Sequence, residues 1–449
     1  MSDFLPLDVV IDILTRLPVK TLIRCSCVCK SLYSLVTNPS FITKHLNANN
    51  NNNNNNLLLI RRCSSDRDED EYDADAEEHY SVLRCENKIL CDYAEFELPV
   101  YSFDNNYFRI VGSCNGVVCL SNDLVFYRNH IYLWNPSIQK TMALPRPRIT
   151  FGKHGCHMHS IGFGFDSVTD DYKVVRIVYL LKVLDGYVTP PEVDIFSLST
   201  GRWRNISHLG LKHLIRELAP QAFLNGAAHW LADNGSEKSH LIVSFHMGDE
   251  VFGEIKVPDG AVNTRWTLGD RVDKFQESLS LIHMEDTGDK FVCCIWVMKE
   301  YGMPESWTRL FNINLSGVLG KRVAGFTRNG QVLFGKKSGH LLVYDPEAKK
   351  VRHIHFRGST DSWDMDSFYA DVYTESVVLV TCKQSPDLLE ETREEKQCGE
   401  NSENIFDLAF LYTLQALEKK MKIGAKPNKK GKEEGWKIKL RKPFKVKNC

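Results

Sequence analysis

The chain has 449 residues, 43% hydrophobic and 25% charged, and its 56 Lys and Arg against 57 Asp and Glu leave a net charge of -1. That length and apolar share support a large core with appendages, and the charge balance excludes a global pull toward nucleic acid or an anionic membrane. The start MSDFLPLDVV lacks the basic residues and unbroken apolar run of a secretory signal, and no stretch is apolar long enough to span a bilayer, so a cytoplasmic and nuclear location is expected.

Residues 3–46 read as helices. Leu7, Val10, Leu14 and Leu17 fall on one stripe at helical spacing. Pro6 fits a first turn, where its missing N–H costs nothing, and Pro18 ends the helix. A second helix over 19–28 carries Leu22, Ile23 and Cys25, and a third over 30–36 stops at Asn38-Pro39. A piece this small builds only a marginal core, so it is expected to complete its burial against a partner. A self-contained bundle is the alternative.

The ordered series Leu-Pro, Ile-Leu, Arg-Leu-Pro, Leu, Arg, Val-Cys-Lys in LPLDVVIDILTRLPVKTLIRCSCVCKSLYSLVTNPSF resembles the F-box motif. In that family the leading Leu-Pro pair and the apolar faces of the first helices bury into a Skp-type adaptor. The resemblance implies that Leu5, Pro6, Val9, Ile13, Leu14, Leu17, Pro18, Leu22, Val28, Cys29, Lys30 and Leu32 make that contact here. Through the adaptor, cullin and RING subunits become partners. Leu32 stands where many members carry Trp, which keeps an apolar contact with less aromatic area.

Residues 47–79 read as a low-complexity tether or insert. The asparagine run over 49–56 buries no apolar area, and acidic residues crowd from Asp66 to Glu78.

Residues 80–415 read as β-rich. NGVVCL precedes IYLWNPSIQKTMALP, NGAAHWL precedes LIVSFHMGDEVFGEIKVP, and NGQVLF precedes LLVYDPEAKKVRHIHF. Each unit opens on Asn-Gly, suited to a tight hairpin turn, and continues as strands. Gly116, Gly226 and Gly330 recur at about 105 to 110 residues, roughly two four-stranded blades. Between them lie GFGFDSVTDDYKVVRIVYL with VDIFSLSTGRWRNI, and SLIHMEDTGDKFVCCIWVM with WTRLFNINL. A sixth blade is expected from VLRCENKILCDYAEFELP paired with FYADVYTESVVLVTC, which joins both ends of the domain and removes free sheet edges. The fold class is therefore α+β multidomain, a small helical head plus an all-β domain with a six-bladed β-propeller as first architecture and an open sandwich pair as second.

GFGFDSVTDDYKVVRI, YLWNPSIQKTMALP and VDIFSLSTGRWRNI resemble the F-box-associated domain of plant F-box proteins, often named F-box/kelch-repeat, although kelch Gly-Gly pairs are absent. The stretch WVMKEYGMPESWTRLF is similar to that of a family member whose role implies immune-receptor turnover. The family reading implies a substrate-recognition subunit of a Skp-cullin-F-box ubiquitin ligase, recruiting a protein target for degradation. A stand-alone propeller module binding a glycan or small molecule is the alternative, and a propeller hydrolase a third.

Nothing in the pattern argues for catalysis, a cofactor or a resident metal. Gly112-Ser-Cys114-Asn-Gly116 mimics a nucleophile elbow, yet a strand rather than a helix follows, so a hairpin turn is expected. His154, Cys156, His157 and His159 are dense but lie in a Gly-rich stretch without a second ligand pair, and an exposed loop is expected. Asp166, Asp170 and Asp171 read as turn residues, and His353 with His355 as strand neighbours sharing a face. Trp134, Phe196, Trp203, Trp230, Phe245, Trp296, Trp307 and Tyr344 are expected to pack between blades. The 14 cysteines lack C-x-x-C spacing and are expected as buried small hydrophobes without disulfides. Residues 416–449 form a basic tail whose Lys-Pro-Asn-Lys-Lys-Gly-Lys core suits a nuclear import signal.

Overall fold

The computed structural model describes residues 5–51, 56–64, 77–97, 108–122, 130–155, 157–182, 186–187, 189–215, 221–233, 240–262, 269–286, 291–315, 322–336, 340–357 and 368–379. Expectations for the acidic run over 65–76, for residues 380–415 and for the basic tail lie outside the described residues.

Four helices form the head: α1 Leu7–Thr15, α2 Val19–Ser26, α3 Lys30–Val36 and α4 Pro39–Asn51. Prolines set its punctuation. Pro6 and Pro18, both with ψ near 150°, are the residues from which α1 and α2 start, so Pro18 opens the second helix as well as closing the first. Helix α4 runs past residue 46 into the asparagine run, which shortens the expected tether from its front.

The β domain is a ring of six sheets, and its strands are numbered here in chain order. Blade 6 is built from β1 Leu57–Ser64, β2 Glu77–Glu86 and β3 Ile89–Phe96 together with a later strand. Blade 1 is β4 Arg109–Cys114, β5 Val117–Asn122, β6 His130–Asn135 and β7 Lys140–Ala143. Blade 2 is β8 His157–Asp166, β9 Asp171–Lys182, the short β10 Gly186–Tyr187, β11 Glu192–Ser197 and β12 Arg202–Asn205. In blade 3, β13 Leu214–Ile215 and β14 Ala222–Leu224 both pair with β15 Ala227–Asp233, followed by β16 His240–His246 and β17 Val251–Lys256. Blade 4 is β18 Arg271–Phe275, β19 Ser278–Asp286, β20 Phe291–Met298 and β21 Trp307–Asn314. Blade 5 is β22 Arg322–Phe326, β23 Val332–Gly335, β24 His340–Asp345 and β25 Lys350–Arg357.

The last strand, β26 Phe368–Tyr373, pairs antiparallel with β1, with Leu57 opposite Tyr373 and Arg62 opposite Phe368. The ring is therefore closed by strands from both ends of the domain, as the sequence pattern predicts. First strands of successive blades lie against one another, β26 on β4, β4 on β8, β14 on β18, β18 on β22 and β22 on β26. Closure gives blade 6 its fourth strand, and packing between neighbouring blades shields their inner strands.

Two expectations about this closure need correction. The expected insert over 47–79 contains β1, a central strand of blade 6, and the start of β2. Arg61 on β1 is buried because Glu78, the last residue of the acidic run, accepts from its Nε at 3.1 Å and its Nη2 at 2.6 Å. Glu78 also accepts from Tyr80 Oη at 2.7 Å and Phe108 N at 2.8 Å. Four donors of this kind make burial of the charged pair tolerable. The second correction concerns FYADVYTESVVLVTC, whose strand stops at Tyr373; residues 374–379 leave the sheet.

The interior follows the predicted blades. Trp134, Phe196, Trp230 and Phe245 are fully buried, Trp307 nearly so, and Trp203, Trp296 and Tyr344 are partly covered. The cysteines divide: Cys85, Cys119, Cys293 and Cys294 are buried, whereas Cys27, Cys29 and Cys91 are exposed, and none of the described ones is in a disulfide.

Candidate functional site

The head presents two apolar faces, and they differ in what covers them. Leu14, Val19, Leu22, Val36 and Phe41 form its interior, with Val10, Leu17 and Leu32 partly buried against them. On the other side Leu5 is 53% exposed, Val9 41%, Ile13 48% and Val28 75%. Positions 9 and 13 share a side of α1, one turn apart, and positions 10 and 14 share the neighbouring side. The sequence therefore writes two stripes on one helix, and the head can close over only one of them.

Of the twelve residues nominated from the family resemblance, eight lie on the open side: Leu5, Pro6, Val9, Ile13, Pro18, Val28, Cys29 and Lys30. Leu17 and Leu32 are half-buried. Leu14 and Leu22 are buried in the head's own core. Leu7, placed in the inner stripe by spacing, overhangs the core at the first turn and is exposed. Tyr33 is a further exposed aromatic on α3 that the motif comparison missed. Its signal is weak, since a Tyr four residues from Cys29 reads equally well as ordinary helix surface.

The interior is braced by His45. Its Nε2 lies 3.0 Å from the Leu17 carbonyl and its ring stacks on Phe41 at 6.1 Å. Burial lowers the His45 pKa, with the carbonyl bond pulling the other way, so a neutral imidazole joins α4 to the end of α1.

The clusters that imitate catalytic or metal chemistry resolve into structure. Cys114 ends β4 and Asn115-Gly116 turns directly into β5, both with φ positive, as a two-residue hairpin requires. Burial pushes the Cys114 thiol up to about 12, which removes the thiolate a nucleophile needs. His157 and His159, expected in an exposed loop, are buried on β8. Burial brings His157 down to about 4, and buried Arg176, whose Nη2 is 3.2 Å from His157 Nε2, adds to the shift. A guanidinium at that distance occupies the place a cation would need.

Asp166 closes a turn by accepting from Val168 N, Thr169 N and Thr169 Oγ1, and pairs with Lys173 at 2.8 Å. Those partners outweigh burial and hold its carboxyl at about 2, so Asp166 is a structural anion. His353 faces the ring of His340 at 6.3 Å, and the side chain of His355 lies outside the described residues. Among the described residues no group of three or more His, Cys, Asp or Glu is arranged to hold a metal ion, and no helix is long and apolar enough to cross a membrane.

Comparison with known proteins fits this division. The F-box domain matches residues 3–44, and the F-box associated beta propeller domain matches residues 78–379. F-box protein CPR1 of Arabidopsis thaliana is 26% identical over 84% of this chain and 89% of its own length. F-box protein At3g07870 of the same plant is 28% identical over 79% of this chain and 88% of its own. F-box/kelch-repeat protein At3g23880, also from Arabidopsis thaliana, is 28% identical over 69% of this chain and 79% of its own.

Proposed function

This chain belongs to the family of F-box proteins with an F-box associated beta propeller domain, and from that premise we propose that it recruits a protein target to a Skp-cullin-F-box ubiquitin ligase. Members of the family typically serve as substrate-recognition subunits and are generally non-catalytic, and an F-box implies a Skp-type adaptor as partner.

The observation that carries the reading is the open face of the head. Leu5, Val9, Ile13 and Val28 stay in solvent although the head has an interior of its own. Burying what remains exposed of such side chains against a partner is worth about 1 kcal/mol each, a favourable contribution to an interface. The propeller then holds a target while a separate conjugating enzyme acts on it by proximity, so this chain needs no catalytic residue. Turnover of immune receptors is the process that the WVMKEYGMPESWTRLF resemblance favours, and cytosol and nucleus are the compartments that go with it.

Gel filtration of the full chain with a recombinant Skp-type adaptor tests the reading. Co-elution as an equimolar complex is expected. A homodimer indifferent to adaptor would instead favour a stand-alone binding module whose head serves dimerisation.

A further inference from the structure

Residues 374–379, which follow the innermost strand of blade 6, read from their β-branched run as more strand, yet they pass beneath blade 1. Fully buried Asn135, at the end of β6, seats them there. Its Nδ2 donates to the carbonyls of Ser376 and Val378, both at 2.9 Å, while its Oδ1 accepts from Ser137 N at 3.0 Å. The hydroxyls of Ser137 and Tyr373 meet at 2.7 Å. Gly116 makes the passage possible, since a Cβ there would stand 2.4 Å from the Thr374 carbonyl oxygen and 2.6 Å from Ser376 Oγ.

Once seated, the segment faces two ways. Val377 enters the core of the helical head beside Leu14, Leu22 and Phe41. Val378 and Leu379 enter the core shared by blades 1 and 2, with Val117, Leu133 and Phe163. Ile42 of α4 touches both cores, Ile138 reaches the head from the turn after Asn135, and Asn49 Nδ2 donates to the Glu375 carbonyl at 3.3 Å. Ile42 and Ile138 already bring the head against the propeller, and the segment adds an attachment that enters both cores at once. Each added attachment removes orientational freedom from the head and narrows its angle to the propeller.

We propose that residues 374–379 form a positioning strap: Asn135 and Gly116 seat it on blade 1, and Val377 fixes the helical head at one angle to the propeller, so that ubiquitin-transfer machinery meets the bound protein from one direction. The directional part rests on the ligase reading; the strap itself does not. Asn135 and Val377 are then positioning residues, remote from any reacting atom.

Two full-chain variants test the strap, Val377→Ser, which alters the head's core, and Asn135→Ala, which removes the seat in blade 1 together with the cap on the turn that carries Ile138. Hydrogen exchange is expected to quicken about tenfold in 374–379 and in α1 to α4 for both, with blades 3 to 5 unchanged. Adaptor affinity is expected to stay within about twofold, because the outer face is intact. In a reconstituted ligase, the self-ubiquitinated lysines of the wild-type chain should form a narrow set that spreads in both variants, and Val377→Ile should restore it. Destabilised packing alone predicts faster exchange with the same lysine map, and that outcome overturns the positioning role. Unchanged exchange in the helices of Asn135→Ala overturns the strap itself, including where Val377→Ser fails to fold. A wild-type chain that ignores the adaptor overturns the ligase reading and leaves the exchange result standing.

Discussion

The helical head and the propeller treat apolar surface in opposite ways. Around the ring, each blade buries its apolar side chains against the next, in clusters that run from Trp134 and Tyr80 at the closure to Trp230 and Phe245 in blade 3. The head encloses a handful of side chains, takes Val377 from the strap to complete them, and leaves Leu5, Val9, Ile13 and Val28 uncovered. Size explains the contrast, because a unit of fewer than about 50 residues has too much surface for its volume. The propeller is finished as it stands, whereas the head is completed by its own chain on one side and open to a partner on the other.

That comparison breaks most sharply at the closure of the ring. The side chains of Arg61 and Glu78 are 1% and 3% exposed, and Arg61→Met would strand a carboxylate between β1 and β2. A loss of about 3–5 kcal/mol in denaturant unfolding is expected. A loss near zero would mean that the pair is not buried as described.

Within the head the test is a difference between faces. Leu14→Ala should cost about 2–4 kcal/mol, read as faster exchange in the helices, because its neighbours collapse only partly into the space. Val9→Ala should change stability by no more than about 0.5 kcal/mol. Equal costs would erase the distinction between an inner and an outer stripe.

A smaller effect sharpens the picture of the propeller's inner strands. Asp371 on β26 accepts at Oδ2 from Ser113 Oγ at 2.6 Å and Tyr369 Oη at 3.1 Å. Burial, reinforced by the charge of Asp273, raises its pKa from 3.8 to about 6. A folded value above the unfolded one means the stability it contributes is complete below pH 3.8 and is lost as pH rises through about 6. Asp371→Asn keeps an oxygen for both donors and removes the charge. It should raise stability at pH 8 by on the order of 1–3 kcal/mol and leave it nearly unchanged at pH 4. A gain independent of pH would refute the titration.

The parts of this architecture that could be read from sequence are those set by local chemistry. Pro6 and Pro18 punctuate the helices through their own φ and missing N–H, and alternating strands with Asn-Gly turns give the blades. What stayed hidden depends on distant partners. LLLIRRCS sits between an asparagine run and an acidic run and carries two arginines, and the pairing with Glu78 helps to make Arg61 a core residue. Residues 374–379 have the composition of a strand, and what removes them from the sheet is Asn135, more than two hundred residues earlier. On α1, Val9 and Leu14 are equally apolar, so composition cannot say which faces inward; packing of α2 to α4 decides. The histidines of β8 look polar and therefore exposed, and their burial comes from Arg176 and the sheet around it.

The open face is tested most directly by calorimetric titration of a Skp-type adaptor into the full-length Ile13→Asp protein, with its thermal unfolding measured beside the wild type. Ile13 is 48% exposed, so unfolding is expected to be unchanged while adaptor binding weakens at least about a hundredfold. Wild-type affinity in that variant would contradict the account.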